Sequence, residues 1–557
     1  MNNQHRNFWF NLSLFVPIYF GLISLYYAFS NAYIVQDDAR QHIVWLQRLI
    51  NNQLFQYDLI ANYFESVAPL GYKFFYWFGV KLGVAPLILA KFVPLFLAVI
   101  ATVYVYKITI EIFPISVAGF WASLFFNQLI WLNDDLISAT PRAFVYPLFT
   151  AFLYYVLKEK LFKLFIAIAL IGLFYPQLLL VELAILTILL LSWHKNKIKF
   201  SRNQKYYLIW FGALMIACPI LLSYALDRSD FAPVVTASQM QQMPEFRLHG
   251  RSQYFGTNPF IFYLMGKGGI GIPPLFPTGI WIGISLPWLL KSRLPLIELI
   301  QPKIKILKEV LFASLLMFIL AHLLLPKLHL PSRYTYHSLR IVMAIASGIV
   351  LTVWLDRWKQ LLRKNHKFLT ILVKLSLVII IIFPAIPPVF IGWFQNWQVG
   401  TAPEIYQFLA EQPPNTLVAS LTRETNNIPA FSLRSVLVGR EFALAYHTKY
   451  YQQFKRRAID LIEAQYSPNS LKIKQVIQKY GIDYWLLENT SFQPNYLLQH
   501  DWLNYSSFHN SVNHANTNLK RGEVPALAQF IKDSKCISVT TQNLTLLNAE
   551  CILKQSN

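Results

Sequence analysis

Several long runs of this sequence contain almost no ionisable residue, and they restrict the possible fold more than any other feature. These runs cover residues 8–30, 85–106, 115–132, 206–226, 309–325 and 375–394. About 20 apolar residues in a helix cross the ~30 Å hydrocarbon core of a bilayer. One such run fits inside a soluble core, but several in series do not. The sequence therefore predicts an integral membrane protein, in agreement with its low content of charged residues, 14%.

About eleven transmembrane helices are predicted from length and hydropathy. Their positions are residues 8–30, 85–107, 115–132, 142–157, 161–175, 177–193, 206–226, 275–290, 309–326, 337–355 and 370–393. The first is too long for a signal peptide and lacks a small-residue cleavage site, so it is expected to be retained. The fold class predicted is a polytopic α-helical membrane domain over residues 1–398, followed by a soluble domain over 399–557.

The distribution of charge predicts the orientation of the chain. A net charge of +22 would suggest nucleic acid as a partner of a soluble protein, but here lysine and arginine are concentrated in short loops between apolar runs. These loops lie at residues 194–205, 291–308 and 356–369, and the positive-inside rule makes them cytoplasmic. The acidic segments 31–84, 133–141, 227–274 and 327–336 and the C-terminal domain are then expected outside, and no nucleic acid partner is expected.

Interfacial helices are predicted over about residues 36–84. In QDDARQHIVWLQRLI, the apolar residues Ile43, Leu46, Leu49 and Ile50 recur at helical spacing with polar residues between them. This pattern is typical of an amphipathic helix on a membrane surface. Residues 70–84 are too short and too often interrupted to span a bilayer easily, so a second interfacial helix is predicted there.

The C-terminal segment alternates helical and strand patterns, which predicts a small α/β domain without a glycine-rich phosphate loop. Residues 536–553 are predicted to form a hairpin that turns at Gln542–Asn543. A disulfide between Cys536 and Cys551 is predicted because the domain faces an oxidising compartment. Strict pairing sets Cys536 opposite Ala549, so a bulge would have to close the offset. Two separate buried thiols are the alternative.

Two adjacent carboxylates, Asp37 and Asp38, follow the first span and are the strongest candidates for chemistry. Asp38 and His42 are four residues apart and share a helix face, with Arg40 close by. Such a group is suited to holding a base at the membrane surface. The alternative is helix capping, since Asp is favoured at the N-cap and in the first turn; one Asp can also do both.

A second acidic motif lies in the short loop NDDLISATPRAF, which contains Asp134, Asp135 and Arg142. Both acidic pairs are predicted on the same side of the membrane. An ordinary polar turn is the alternative.

Two outer segments contain candidate anion-binding residues. Arg247 and Arg251 lie in the long outer loop, whose residues 266–271 are glycine-rich enough to bring backbone N–H groups close to a phosphate. In LPSRYTYHSLR, Arg333, His337 and Arg340 are spaced at i, i+4 and i+7, and arginine binds a lipid phosphate in bidentate fashion. Ordinary phospholipid headgroups are the alternative ligands. No Cys/His cluster has metal-ligand spacing, and the sequence does not require a divalent metal.

With these residues placed, the chain resembles the GT-C superfamily of membrane glycosyltransferases. Asp37 and Asp38 match the first acidic motif of that superfamily, and the Asp134–Asp135 loop is similar to the second. QDDARQHIVW, SVAPLGYK, NDDLISATPRAF and LPSRYTY resemble motifs of uncharacterised bacterial, notably cyanobacterial, members. The chain departs from the superfamily in lacking a WWDYG-type motif and a clear His-Pro-Pro segment, although Ala68-Pro69 stands nearby.

The resemblance implies a polyprenyl-phosphate-linked sugar as donor and a glycan, lipid or protein as acceptor. It implies direct inverting displacement, in which a carboxylate activates the acceptor hydroxyl and the lipid phosphate leaves. Asp38 is the expected base, because the superfamily often places an Asp four residues before a His, and Asp37 is second. The residues expected to bind the donor phosphate are Arg40, His42, Arg247, Arg251, Arg333, His337 and Arg340. The implied location is the bacterial plasma (inner) membrane, with the C-terminal domain in the periplasm.

Two other classes of function remain open at this point. A transporter or flippase for lipid-linked glycans would favour ionisable residues inside spans and broken helices. A non-catalytic envelope assembly protein would explain the C-terminal domain but not two acidic motifs at one surface.

Overall fold

The computed structural model describes residues 3–194, 197–226, 229–256, 258–273, 279–362, 371–372, 374–375, 395–534 and 536–555. This part of the chain is mostly helical, with a small mixed sheet near its C-terminal end.

The N-terminal part contains helices of very different lengths. They are α1 (Asn3–Ala28), α2 (Ala39–His42), α3 (Leu59–Val67), α4 (Leu70–Lys81), α5 (Pro86–Ile112), α6 (Ser116–Trp131), α7 (Asp134–Ile137), α8 (Val145–Lys158), α9 (Leu161–Phe174), α10 (Pro176–Leu189), α11 (Gln204–Ala225), α12 (Ala237–Gln242), α13 (Pro259–Leu264), α14 (Leu286–Leu289), α15 (Lys305–Leu323) and α16 (Tyr336–Leu362). Strands β1 (Ile34–Gln36), β2 (Leu191–His194) and β3 (Lys197–Phe200) lie between them, and β2 pairs with β3.

Four helical segments among the described residues are long and apolar enough to cross a bilayer: Gln4–Ala28, Pro86–Ile112, Gln204–Ala225 and Pro331–Gln360. They correspond to four of the predicted spans and support a membrane protein. Several other predicted spans form shorter helices; α9 and α10, with 14 residues each, extend only about 21 Å. The predicted span at 275–290 is a 3-10 helix, Gly279–Ser285, followed by α14, and residues 274–278 lie outside the described part. The span at 370–393 lies almost wholly outside it, so the number of spans stays a prediction.

The segment after α1 differs from the expected surface helix. It forms only the short α2 and a 3-10 helix, Val44–Leu49, and most of its side chains are buried. The C-terminal part covers the start of this segment, where β1 pairs antiparallel with β4 (Trp397–Val399) and Ile34 lies opposite Val399. Helices α3, α4 and α5 pack against the 3-10 helix. In contrast, α4 exposes Phe74, Phe78 and other large apolar side chains, as a helix at a membrane interface should.

The C-terminal part is an α/β unit built on one five-stranded sheet. Its strands are β5 (Leu417–Ala419), β6 (Ser435–Val436), β7 (Tyr484–Glu488), β8 (Ile537–Thr540) and β9 (Leu544–Asn548), and its helices are α17 (Pro403–Ala410), α18 (Ile428–Phe431), α19 (Thr448–Gln465), α20 (Ser470–Tyr480), α21 (Asp501–Asn504), α22 (His509–Lys520), α23 (Ala526–Lys532) and α24 (Ala549–Lys554). The strand order is β6-β5-β7-β9-β8, and β6, β5 and β7 are parallel while β9 and β8 are antiparallel to their neighbours.

The last two strands form the hairpin expected at the end of the chain. An irregularity between Ile537 and Val539 shifts their register. The hairpin ends earlier than predicted, because Asn548 caps α24 by accepting a hydrogen bond from the N–H of Cys551 at 2.9 Å. Cys551 therefore lies in a helix, and it forms a disulfide with Cys536 across a Cα–Cα distance of 5.4 Å.

The predicted orientation leads to a direct test. In a Cys218→Ser background, we expect Tyr57→Cys and Glu523→Cys to react with a membrane-impermeant thiol reagent on intact cells, because both positions are exposed and lie in predicted outer segments. Arg202→Cys, exposed in a predicted cytoplasmic loop, is the matched control and should react only after lysis. Labelling of Tyr57→Cys and Glu523→Cys only after lysis would contradict the topology.

Candidate functional site

Asp37 and Asp38 lie in the turn between β1 and α2, and each pairs with an arginine side chain. The β1–β4 pairing continues into a hydrogen bond from the N–H of Asp37 to the carbonyl of Asn396 at 3.0 Å. The side-chain oxygen of Gln36 accepts the N–H of Asp38 at 2.8 Å and that of Ala39 at 3.3 Å. Asp38 stands at the N-cap position, but its side chain makes no capping bond. Gln36 takes the capping role, so the carboxylate of Asp38 is available for other contacts.

Arg142 joins the two acidic motifs. Its guanidinium forms an ion pair with Asp38 and donates a hydrogen bond to Oδ1 of Asp135 at 2.8 Å. Asp38 and Arg142 are 21% and 20% exposed, whereas the side chain of Asp135 is 3% exposed. The structure thus brings together two carboxylates that are almost 100 residues apart in sequence. A charge-assisted contact of this kind is stronger than a neutral hydrogen bond and fixes both partners.

Asp37 has a different partner. It forms an ion pair with Arg40, which also donates to Oδ1 of Asn427 at 2.9 Å and lies 3.6 Å from Glu441. Burial raises the pKa of Asp37, while the charge of Arg40 opposes that rise. Arg40 is itself buried, so it anchors the C-terminal part rather than facing solvent.

The neighbours Asp134 and Asp135 have pKa values that move in opposite directions. Burial and the charge of Asp135 raise the pKa of Asp134 to about 6, and Asp134 accepts a hydrogen bond from Asn396 at 2.9 Å. Burial also acts to raise the pKa of Asp135, but the charges of Arg142, His337 and Arg340 outweigh it and lower the pKa. One carboxyl of the loop is therefore firmly ionised and the other titrates near neutral pH.

The remaining predicted anion-binding residues separate into different positions. Arg251 pairs with Glu441 at 2.7 Å and donates to the carbonyl of Arg440 at 2.9 Å, so its charge is compensated. Arg247 is exposed and donates to the carbonyl of Gln241 at 3.0 Å. Burial lowers the pKa of His42 to about 4, which leaves its ring neutral.

Of the three residues predicted at i, i+4 and i+7, two lie in α16 and one precedes it. Arg333 precedes the helix in a short 3-10 turn, Pro331–Tyr334, whereas His337 and Arg340 lie inside the helix. His337 is 0% exposed and Arg340 is 3% exposed. Arg340 stacks on the ring of Tyr336 at 3.2 Å and donates to its carbonyl at 2.8 Å. Of the three, only Arg333 is partly exposed.

Lys267, which was not among the predicted site residues, lies beside Arg333. Its carbonyl accepts the N–H of Ser332 at 3.3 Å, and its ammonium lies 5.8 Å from the centre of the Tyr446 ring. Burial, with the charges of Arg251 and Arg333, lowers the pKa of Lys267 to about 7. Burial lowers the pKa of His329 to about 3, and the charge of Arg333 adds to that effect. The sequence signal was present, because Lys267 belongs to the glycine-rich loop considered only for its backbone.

Two of the cations near Arg142 lack an acidic partner among the described residues. Arg40, Arg142 and Arg251 each have a carboxylate partner. Within the described part of the chain, neither Lys267 nor Arg333 forms an ion pair with an acidic side chain. Buried charge without a partner is costly. The pair of Lys267 and Arg333 therefore has the chemistry of a site for an anion.

Comparison with known proteins gives matches among solved structures only. No protein-family model matches the chain, and no curated protein matches it. Among solved structures, the oligosaccharyltransferase of Archaeoglobus fulgidus in its apo form has 12% identity and a TM-score of 0.49, over 88% of this chain and 71% of that one. The oligosaccharyltransferase AglB of Archaeoglobus fulgidus, in complex with an inhibitory peptide and a dolichol-phosphate, has 11% identity and a TM-score of 0.49, over 90% of this chain and 72% of that one.

Both matched proteins are archaeal oligosaccharyltransferases. The match concerns the general course of the chain, and no residue role in this protein is taken from it.

Proposed function

We propose that this protein is a membrane glycosyltransferase that moves a sugar from a polyprenyl-phosphate donor to an extracytoplasmic acceptor with inversion. The observation that carries the proposal is the meeting of both acidic motifs at Arg142, next to the uncompensated cations Lys267 and Arg333. A base for an acceptor hydroxyl and a site for an anionic leaving group are the two parts that this reaction requires.

Asp38 is the proposed base. Arg142 contacts Oδ2 of Asp38, and within the described residues the other carboxylate oxygen accepts no hydrogen bond. In the proposed reaction, the acceptor oxygen forms a bond to the anomeric carbon as its proton passes to Asp38. The bond from that carbon to the phosphate oxygen breaks, and the phosphate leaves with the electron pair. Arg142 holds the carboxylate in place through their ion pair.

Lys267 and Arg333 are the proposed ligands of the donor phosphate. The leaving phosphate gains negative charge in the transition state, so cations already in place stabilise that state more than the ground state. Arg333 was expected in this role from the sequence, and Lys267 joins it. Arg40 and Arg251 instead hold the C-terminal part against α2 and against the loop between α12 and α13, since both contact Glu441.

The proposal is tested by mass spectrometry of envelope glycans from cells with and without the protein. We expect one glycan to lose the mass of a single sugar when the protein is absent. Wild-type protein should restore that sugar, and the Asp38→Asn variant should not. If the protein were a flippase, its absence would instead cause a complete lipid-linked glycan to accumulate inside the cell. Identical glycan profiles in all strains would contradict the proposed function.

A further inference from the structure

A group of buried polar atoms lies behind the loop that carries Asp135. Within the described part of the chain, Oδ2 of Asp135, the hydroxyl of Tyr146, both ring nitrogens of His337 and Nε of Arg340 have no hydrogen-bond partner. Asp135 is 2% exposed, Arg340 is 3% exposed, and Tyr146 and His337 are fully buried. Five such atoms in one place require an explanation, because nearly all buried polar groups of native proteins have a partner.

These four residues come from three elements and lie close together. The rings of Tyr146 on α8 and His337 on α16 have their centres 5.0 Å apart. Both His337 and Arg340 are near enough to Asp135 on α7 for their charges to act on its carboxyl. Arg340 is held by its stack on Tyr336, which leaves its Nε unused.

Each unsatisfied buried group costs roughly 1–3 kcal/mol, and a charged group costs more. A buried water molecule typically makes about three hydrogen bonds to such groups and removes that cost. The five atoms include both hydrogen-bond donors and hydrogen-bond acceptors, and a water molecule can bond to either. The set contains only one carboxylate, and no cluster of three His, Cys, Asp or Glu residues that could hold a metal occurs in the described chain.

We propose that ordered water bridges Asp135, Tyr146, His337 and Arg340, and that His337 is a positioning residue for the transfer reaction. Through this water His337 holds the inner oxygen of Asp135, while the outer oxygen accepts its bond from Arg142 at 2.8 Å. Arg142 in turn fixes Asp38. His337 thus acts on the base at the far end of this chain of contacts and does not bind the donor phosphate. The second half of the proposal rests on the proposed function, and the first half does not.

The bound water is tested without reference to activity. Brief X-ray irradiation in ¹⁸O-labelled water generates hydroxyl radicals from bound water as well as from bulk water, and mass spectrometry finds the oxidised side chains. We expect Tyr146 to be oxidised although it is fully buried. Tyr76 is the internal control, since it is equally buried but its hydroxyl donates to the carbonyl of Ala139 at 3.0 Å. Tyr57, 84% exposed, is the positive control. Oxidation of Tyr57 alone would overturn the proposal.

The positioning role is tested by two substitutions of His337. We expect His337→Leu to lower kcat about 10-fold with an unchanged KM for the donor, as the loss of one hydrogen bond to a charged group predicts. His337→Gln keeps a donor and an acceptor and should restore most of the rate. Thr352→Val, which removes a buried hydroxyl bonded within the same helix to the carbonyl of Gly348, should match wild type.

Two results would overturn the positioning role. One is a change in the donor KM alone in His337→Leu, as a phosphate ligand would give. The other is an equal loss of kcat in both His337 variants when their unfolding midpoints match wild type. If wild-type protein transfers no sugar at all, the proposed function fails, while the footprinting result on Tyr146 still decides whether the water is there.

Discussion

The Asp38→Asn variant should fold like wild type and lose transfer activity by about 10²- to 10⁴-fold, the usual contribution of a general base. Asparagine has the size of aspartate, and its side-chain oxygen still accepts a bond from Arg142. Its amide cannot take a proton from the acceptor hydroxyl at neutral pH. Because Gln36 rather than Asp38 caps α2, the substitution removes no capping bond. The measurement is the single-turnover rate with purified protein, together with its thermal unfolding midpoint in detergent.

Asp37→Asn is the matched control for this experiment. Asp37 is the neighbouring residue, but its carboxylate faces Arg40 instead of Arg142. We expect a smaller loss of rate, because the change weakens a contact that orders the turn and leaves the proposed base in place. Asp134→Asn tests a second carboxyl of the site, whose pKa is raised to about 6 by burial and by the charge of Asp135. A wild-type rate in Asp38→Asn, with a large loss in Asp134→Asn, would move the base to the second motif.

The sequence predicted that both acidic motifs lie on one side of the membrane, but not that they meet at one guanidinium. Loop parity and charge give the side, because they depend only on the order of spans. The contact between Asp38 and Arg142 depends on how the helices that separate them in sequence, α2 to α7, pack together. One sequence contains no local signal for such long-range packing. Arg142 belongs to the second acidic motif, yet its contact with Asp38 could be seen only in three dimensions.

The segment after α1 shows a second limit of sequence patterns. Of its periodic apolar residues, Ile43 and Leu46 are buried but Ile50 is exposed, and its polar residues suggested that the other face meets water. In the structure that face meets protein: Arg40 contacts Asn427, and Gln41 donates to Glu441 at 3.0 Å. A pattern of polar residues is the same whether the partner is water or a domain that supplies compensating groups. The identity of the covering surface is a tertiary property.

The positions of the candidate anion-binding residues are also a tertiary property. Arg333, His337 and Arg340 have helical spacing, but the helix begins after Arg333 and turns the other two inward. Lys267 lies 66 residues before Arg333, and the contact of Ser332 with its carbonyl helps to bring the two segments together. Spacing predicted the helix correctly, whereas the set of cations that share one place could not be derived from spacing.

Lys267 should make donor binding depend on pH. Without a bound anion its pKa is about 7, because burial and the nearby charges of Arg251 and Arg333 disfavour the ammonium form. A bound phosphate favours that form and raises the pKa in the complex. Binding above pH 7 therefore takes up a proton. We expect the donor KM to be lowest below about pH 7 and to rise as the pH increases to 9, by up to about 10-fold per unit.

Two substitutions of Lys267 separate this effect from other titrations. Lys267→Arg stays charged over the whole range, so its donor KM should be independent of pH between 7 and 9. Lys267→Met removes the cation and should raise the donor KM about 10- to 100-fold at pH 7, the value of one hydrogen bond between charged groups, with a smaller effect on kcat. The measurement is initial rate against donor concentration at each pH, with acceptor saturating. If Lys267→Met and wild type have the same donor KM at pH 7, Lys267 is not part of the phosphate site. If the donor KM of Lys267→Arg still depends on pH, another group titrates, and Asp134 is the first to test.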